Sequence, residues 1–132
     1  MTFPDINTVT EKIIGCAYRV SNSLGIGFVE KVYENALAHD IQVSGFKVAQ
    51  QAPIKVQYDG IIVGDFYADL LVEEKVLVEL KAVSMLMNEH VAQSLNYLRA
   101  SGLEICLLIN FGTTKVQIKR LRRSTFWKPP SS

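Results

Sequence analysis

The stretch DFYADLLVEEKVLVELKA, residues 65–82, holds the reading that decides the fold. Its second half, 76–83, is rich in Val and Leu and reads as a β-strand. Alternation puts Val76, Val78, Leu80 and Ala82 on one face, and Leu77, Glu79, Lys81 and Val83 on the other. Two charges therefore share a face near the C-terminal end of the strand. Asp69 interrupts the apolar run just before it. If Glu73, Glu74 and Lys75 form a three-residue loop, Val72 pairs with Val76 and Asp69 falls opposite Glu79. A two-residue turn would shift the register by one and carry Asp69 to the other face. In the first register two carboxylates and an ammonium converge on one patch. Directly opposed carboxylates destabilise a strand pair. A divalent cation would offset that, since Mg²⁺ takes carboxylate oxygens and keeps several waters. The plainer reading is a half-exposed strand whose Glu79 and Lys81 are solvated charges worth little.

Working outward, Asn7 or Thr8 can cap a first helix running to about residue 23, with Val9, Ile13, Ala17, Val20 and Leu24 at helical spacing. SLGIGF breaks it. A second helix is predicted over 29–43, on Val29, Val32, Tyr33, Ala36 and Leu37, with Gly45 placed to end it. Ile54, Val56 and Tyr58 alternate as a strand, and Asp59-Gly60 between two apolar runs signals a hairpin into a strand over 61–72. Beyond 83, a third helix covers about 89–101 and stops at Gly102. EICLLINF, a continuous apolar run, suggests a strand covered on both faces. A last strand is expected over 115–121. The order is ααβββαββ, without internal repeats. The expectation is a single domain over 1–124, with 125–132 (TFWKPPSS) as a tail.

The chain has 132 residues, 48% apolar and 20% charged, which suits one core and excludes a disordered chain. Net charge is +1 and says nothing of partners, but its distribution does. From Gly112 onward there are six cations (Lys115, Lys119, Arg120, Arg122, Arg123, Lys128) and no acid. The remainder carries eight cations against all thirteen acids, a balance of −5. A basic C-terminal edge on an acidic body is compatible with a polyanion partner, and equally with a solvated strand end. Cys16 and Cys106 both sit among apolar residues and read as small buried hydrophobes, not a disulfide. There is no signal-like apolar segment and no run long enough for a membrane span. No membrane partner and a cytoplasmic location are the resulting expectations.

The constellation as a whole resembles the PD-(D/E)XK nuclease superfamily, and within it the family named for a Gly-x-x-Glu-x-x-Tyr motif. That motif stands here as Gly27-Phe28-Val29-Glu30-Lys31-Val32-Tyr33, followed by ENAL. The resemblance continues through VGDFYADLLVEEKVLVELKAV, HVAQSLNYLRASGLEICLLINFG and IKRL, from about residue 10 to 122. It implies a restriction-endonuclease-like α/β fold, a mixed central β-sheet flanked by helices. It implies metal-dependent hydrolysis of phosphodiester bonds in nucleic acid, DNA ahead of RNA, with Mg²⁺ or Mn²⁺ as cofactor. Asp69 and Glu79 match the metal-binding acids, the Leu80 carbonyl an added oxygen ligand, and Lys81 the lysine of Glu-x-Lys, which would position the attacking water. Glu30 matches the helical acid. Gln93 and Tyr97 match a Gln-x-x-x-Tyr motif on a helix bordering the active site. The proline of the superfamily's name is absent, Ala68 standing before Asp69.

Gln93 and Tyr97, four apart, share a helix face with His90. Gln93 can orient a water or phosphate, and Tyr97 can do likewise or serve as a rim aromatic. His90 is read as a helix-start histidine and Tyr33 as a packing residue. Glu34, one turn after Glu30, is the alternative helical acid, but the motif favours Glu30. The basic strand, with Lys119, Arg120, Arg122 and Arg123, would contact phosphates together with Tyr97. Phe126 and Trp127 could close a hydrophobic edge or a dimer contact, and a chain this small is compatible with a homodimer. The runner-up function is a non-catalytic nucleic-acid-binding or protein-interaction domain on the same fold.

Overall fold

The computed structural model describes residues 4–124. The tail expected at 125–132, with Phe126, Trp127 and Lys128, lies outside the described residues. Among the described residues there are three helices and five strands in the expected order: α1 Ile6–Leu24, α2 Glu30–Val43, β1 Val48–Tyr58, β2 Ile61–Val72, β3 Val76–Lys81, α3 Asn88–Ser101, β4 Ile105–Asn110 and β5 Gln117–Arg122. The strands form one sheet in the order β1-β2-β3-β4-β5. All neighbours are antiparallel except β3 and β4, which run parallel and are joined through α3. The fold is thus the α/β arrangement expected, a mixed sheet flanked by helices.

Each face of the sheet buries a different apolar set. On one face Leu70, Val72, Val76, Val78, Leu80, Ile105, Leu107 and Ile109 pack against Val9, Ile13, Ala17 and Val20 of α1 and Tyr33, Leu37 and Ile41 of α2. On the other, Ile54, Ala68, Leu77 and Cys106 pack against Leu98 of α3. β4, covered on both faces, is buried at every residue, as a continuous apolar run requires. Cys16 and Cys106 are free and buried. Among the described residues no helix is long and apolar enough to cross a membrane.

Several boundaries differ from expectation for identifiable reasons. Asp5, not Asn7 or Thr8, caps α1, its Oδ1 accepting from the Thr8 N–H at 2.8 Å. β1 begins at Val48 and runs through Pro53, which is tolerated because β1 is an edge strand. β3 ends at Lys81 rather than at residue 83, because the Asn110 side chain takes over its continuation. Asn110 Oδ1 accepts from the Val83 N–H at 3.0 Å and Nδ2 donates to the Val83 carbonyl at 2.9 Å. Gly112 lies so close behind that a Cβ there would run into the backbone of Ala82 and Val83. The chain after Lys81 is thereby clamped where it leaves the sheet.

The hairpins carry the register. Asp59 and Gly60 both have positive φ, 54° and 76°, as the two-residue turn requires, and Tyr58 pairs with Ile61. Between β2 and β3 the loop is the three-residue one. Glu73 and Glu74 adopt φ 52° and 55°, the Lys75 N–H donates to the Val72 carbonyl at 3.0 Å, and Val72 pairs with Val76.

Candidate active site

The β2–β3 ladder runs from Val72–Val76 to Leu70–Val78 and stops. The next pair in this register is Asp69 and Glu79, and here side chains replace the backbone ladder. Glu79 Oε1 accepts from the Asp69 N–H at 3.3 Å, and Asp69 Oδ2 accepts from the Leu80 N–H at 2.8 Å. Each carboxylate therefore satisfies a backbone donor that the parted strands leave open. In a strand the N–H and C=O of one residue point the same way. Since the Leu80 N–H faces Asp69, its carbonyl faces the same gap, whereas the Lys81 carbonyl is taken by the Phe111 N–H at 2.8 Å. Two carboxylates and one free-facing carbonyl thus meet where the sheet opens.

The electrostatics are those of an acid pair short of countercharge. Glu79 is buried, and burial followed by the charge of Asp69 pushes its carboxyl up to about 8. Burial also raises Asp69, with a further push from the charge of Glu34 and only partial relief from the Leu80 N–H. Lys81 lowers both, but less than burial raises them. Its Nζ donates to Gln93 Oε1 at 3.3 Å, so α3 holds the ammonium near the pair. Tyr97, one turn after Gln93, has its hydroxyl raised by burial and then by the charges of Glu79 and Asp69. Asp69, Glu79, Lys81, Gln93 and Tyr97 are therefore brought together.

The two helical acids are used differently. Glu34 is 4% exposed, and its Oε2 accepts from Lys31 Nζ at 2.9 Å and Gln50 Nε2 at 2.7 Å, its Oε1 from Gln51 Nε2 at 2.9 Å. Glu30 is exposed at the start of α2, near enough for its charge to raise Glu79. The Gly-x-x-Glu-x-x-Tyr segment sets both. Gly27 has φ 112°, in a loop where the Tyr33 hydroxyl donates to the Gly25 carbonyl at 2.6 Å and accepts from the Phe28 N–H at 3.3 Å. Tyr33 itself stacks on Phe111 with centroids 4.8 Å apart, so the loop and the helix start are pinned to the sheet. It packs rather than lining the site.

Gln51 is the residue that sequence reasoning missed. Neighbouring side chains in a strand point to opposite faces, yet Gln50 and Gln51 both reach Glu34. Gln51 has φ 53°, a left-handed backbone in mid-strand, and that turns its amide to Glu34 and, at 3.4 Å, to Asp69 Oδ1. No glycine or turn pair marks the position, so no sequence signal announced it. His90 does what a helix-start histidine does, its Nδ1 accepting from the Met87 N–H at 2.9 Å. Cys106 lies beneath the pair, its thiol pushed up by burial and then by the charge of Glu79, and so is not poised as a nucleophile.

The basic strand divides between two faces. Lys119 pairs with Leu108, which pairs with Glu79, and its alternate neighbour Leu121 packs in the α3-side core. Lys119 therefore lies in the site's cross-strand row, two strands or about 10 Å from Glu79. Arg123 follows the end of β5, its backbone N–H donating to the Glu104 carbonyl at 2.9 Å. Arg120 lies on the other face, its Nη2 donating to Asn7 Oδ1 of α1 at 2.7 Å, and alternation places Arg122 beside it.

The donor set fits a hard divalent cation. Among the described residues no three His, Cys, Asp or Glu side chains converge, so the protein offers two carboxylates, not a cage. Mg²⁺ binds through one or two carboxylates and retains its waters. A cation here would also offset the burial that chiefly raises both groups and the nearby negative charge that adds to it.

Three comparisons bear on this geometry. The family model described as the PD-(D/E)XK nuclease superfamily matches residues 7–121. Among solved structures, the chain is similar to an alkaline exonuclease from Laribacter hongkongensis, with a TM-score of 0.54 and 18% identity, covering 94% of this chain and 73% of that one. That likeness is one of fold. No curated protein matches the chain.

Proposed function

This chain belongs to the PD-(D/E)XK nuclease superfamily, and from that premise we propose that it hydrolyses phosphodiester bonds in nucleic acid, DNA ahead of RNA, with Mg²⁺ or Mn²⁺ at Asp69 and Glu79. In the same reading, Gly27, Glu30 and Tyr33 support a likeness to the proteins of the Gly-x-x-Glu-x-x-Tyr motif. The observation that carries the proposal is the pair of raised carboxylates at the opened ladder, with Lys81 held beside them.

Asp69, Glu79 and the Leu80 carbonyl would hold the cation. When bound, it would stabilise charge on the phosphate oxygens and acidify a water. Lys81, braced by Gln93, would hold that water for attack on phosphorus and steady the charge that develops there as the P–O bond to the leaving strand breaks. Glu34 is engaged by three donors, which leaves Glu30 as the acid that can turn toward a water at the site. Lys119, in the cross-strand row of Glu79, would contact phosphates and set a salt-dependent, sequence-independent affinity.

The test is incubation of purified protein with single-stranded, duplex and branched DNA and RNA in Mg²⁺ or Mn²⁺, with and without chelator. Metal-dependent cleavage of at least one substrate is expected. Binding without cleavage across the panel would replace this reading with a non-catalytic nucleic-acid-binding domain.

A further inference from the structure

We infer that Phe66 and Tyr97 form a stacking platform for an unpaired base of the strand being cut, so that the substrate is single-stranded nucleic acid or a single-stranded end. This rests on the nuclease reading above and names its substrate class.

Phe66 lies on β2, three residues before Asp69, or about 10 Å along the strand, a span one nucleotide can bridge. Its neighbours Ala68 and Ile54 belong to the core on the α3 side, which is the side of Gln93 and Tyr97. The Phe66 ring sits 5.6 Å from that of Tyr97, tilted by 41°. Gly64 lies against the ring as well, where a Cβ would stand only 3.0 Å from Phe66 Cε2. The ring thus packs against both Tyr97 and the Gly64 backbone while Phe66 remains 44% exposed. Aromatic residues that only fill the core look different: Tyr33 and Phe111 are each 1% exposed. Tyr97 links the platform to the site, since it follows Gln93 by one turn and lies within the field of Glu79 and Asp69.

An exposed, oriented π-face beside acids and a lysine that act on a phosphate suits a nucleobase. Every base has such a face, so stacking tolerates sequence, and losing it weakens binding by about tenfold or more. The bases of an intact duplex are already stacked and paired, and would leave the platform unfilled.

The test uses a short DNA strand containing 2-aminopurine, the same strand as RNA, and both annealed to complements. The full chain, Phe66→Leu and Phe66→Trp are each titrated in chelator, and cleavage is then started with Mn²⁺. Leu keeps the apolar bulk without the π-face, and Trp restores it. The expected result is quenching of the single strand by wild type and Phe66→Trp, and an affinity for it weakened about tenfold or more in Phe66→Leu, with duplex affinity unchanged. Equal single-strand affinity in wild type and Phe66→Leu, or no quenching by wild type, overturns the platform. Quenching without cleavage keeps the platform and removes the catalytic reading, whereas cleavage unaffected by Phe66→Leu does the reverse. The DNA and RNA arms separate the two sugars.

Discussion

Glu79 accepts a hydrogen bond from the backbone N–H of Asp69 at 3.3 Å, at the point where the β2–β3 ladder gives out. The two acids are therefore joined to each other's strands as well as repelling each other. That combination keeps the pair together without a cation and, in the function proposed above, would make it responsive to one.

The first expectation concerns pH. The folded-state value of Glu79, about 8, lies above its ordinary 4.5. Between these values the folded protein binds more protons than the unfolded chain, so stability falls as pH rises through that window. Metal-free protein should show a melting temperature that declines from pH 5 to pH 8, and Glu79→Gln should flatten the decline. A melting temperature that rises with pH in both proteins would contradict the assignment.

Gln51 links Glu34 to Asp69, and removing it should loosen the acid without unfolding the chain. Gln51→Ala is expected to weaken Mn²⁺ binding by about tenfold, the effect of losing a group that orients a ligand. Gln51→Gly should keep the left-handed backbone and show the same loss. Calorimetric titration checks both, and wild-type affinity would mean that the contact is incidental.

Much of this site is legible in sequence, and the limits have physical causes. Alternation along 76–83 puts Glu79 and Lys81 on one face, but the position of Asp69 hangs on a turn length. The turn is built from Glu73 and Glu74 in left-handed backbone without a glycine to mark it, and Glu73 is held by hydrogen bonds with the Lys47 backbone, 26 residues away. Gln51 and Asn110 escaped notice because their roles come from tertiary contacts, with Glu34 and Val83. The even run of charges on β5 concealed that Arg120 answers to α1 and Lys119 to the site.

Two structural supports give large, separable effects on stability. Gly112→Ala must push the Cβ into the backbone of Ala82 and Val83, and should cost about 2–3 kcal/mol in denaturant unfolding. Tyr33→Phe leaves the Gly25 carbonyl without its donor and should cost about 1–2 kcal/mol. Wild-type midpoints for either variant would show that these clamps do not hold the loops they touch.

The divided basic strand gives an asymmetric expectation for binding. Lys119→Gln should lower nucleic-acid affinity on all sequences and reduce the salt slope by about one unit. Arg120→Gln, tied to Asn7 on the opposite face, should change the slope little. The reverse order would place the nucleic acid on the α1 side.

The most direct measurement is the single-turnover cleavage rate in Mn²⁺ for wild type, Lys81→Ala and Glu79→Gln, prepared in parallel and assayed on whichever substrate wild type cuts best. The expected result is a loss of about 10²–10³ in rate for Lys81→Ala with near wild-type binding, because its contact strengthens as charge develops, and no cleavage above background for Glu79→Gln. Equal rates in wild type and Glu79→Gln would contradict the claim that this hairpin carries the chemistry.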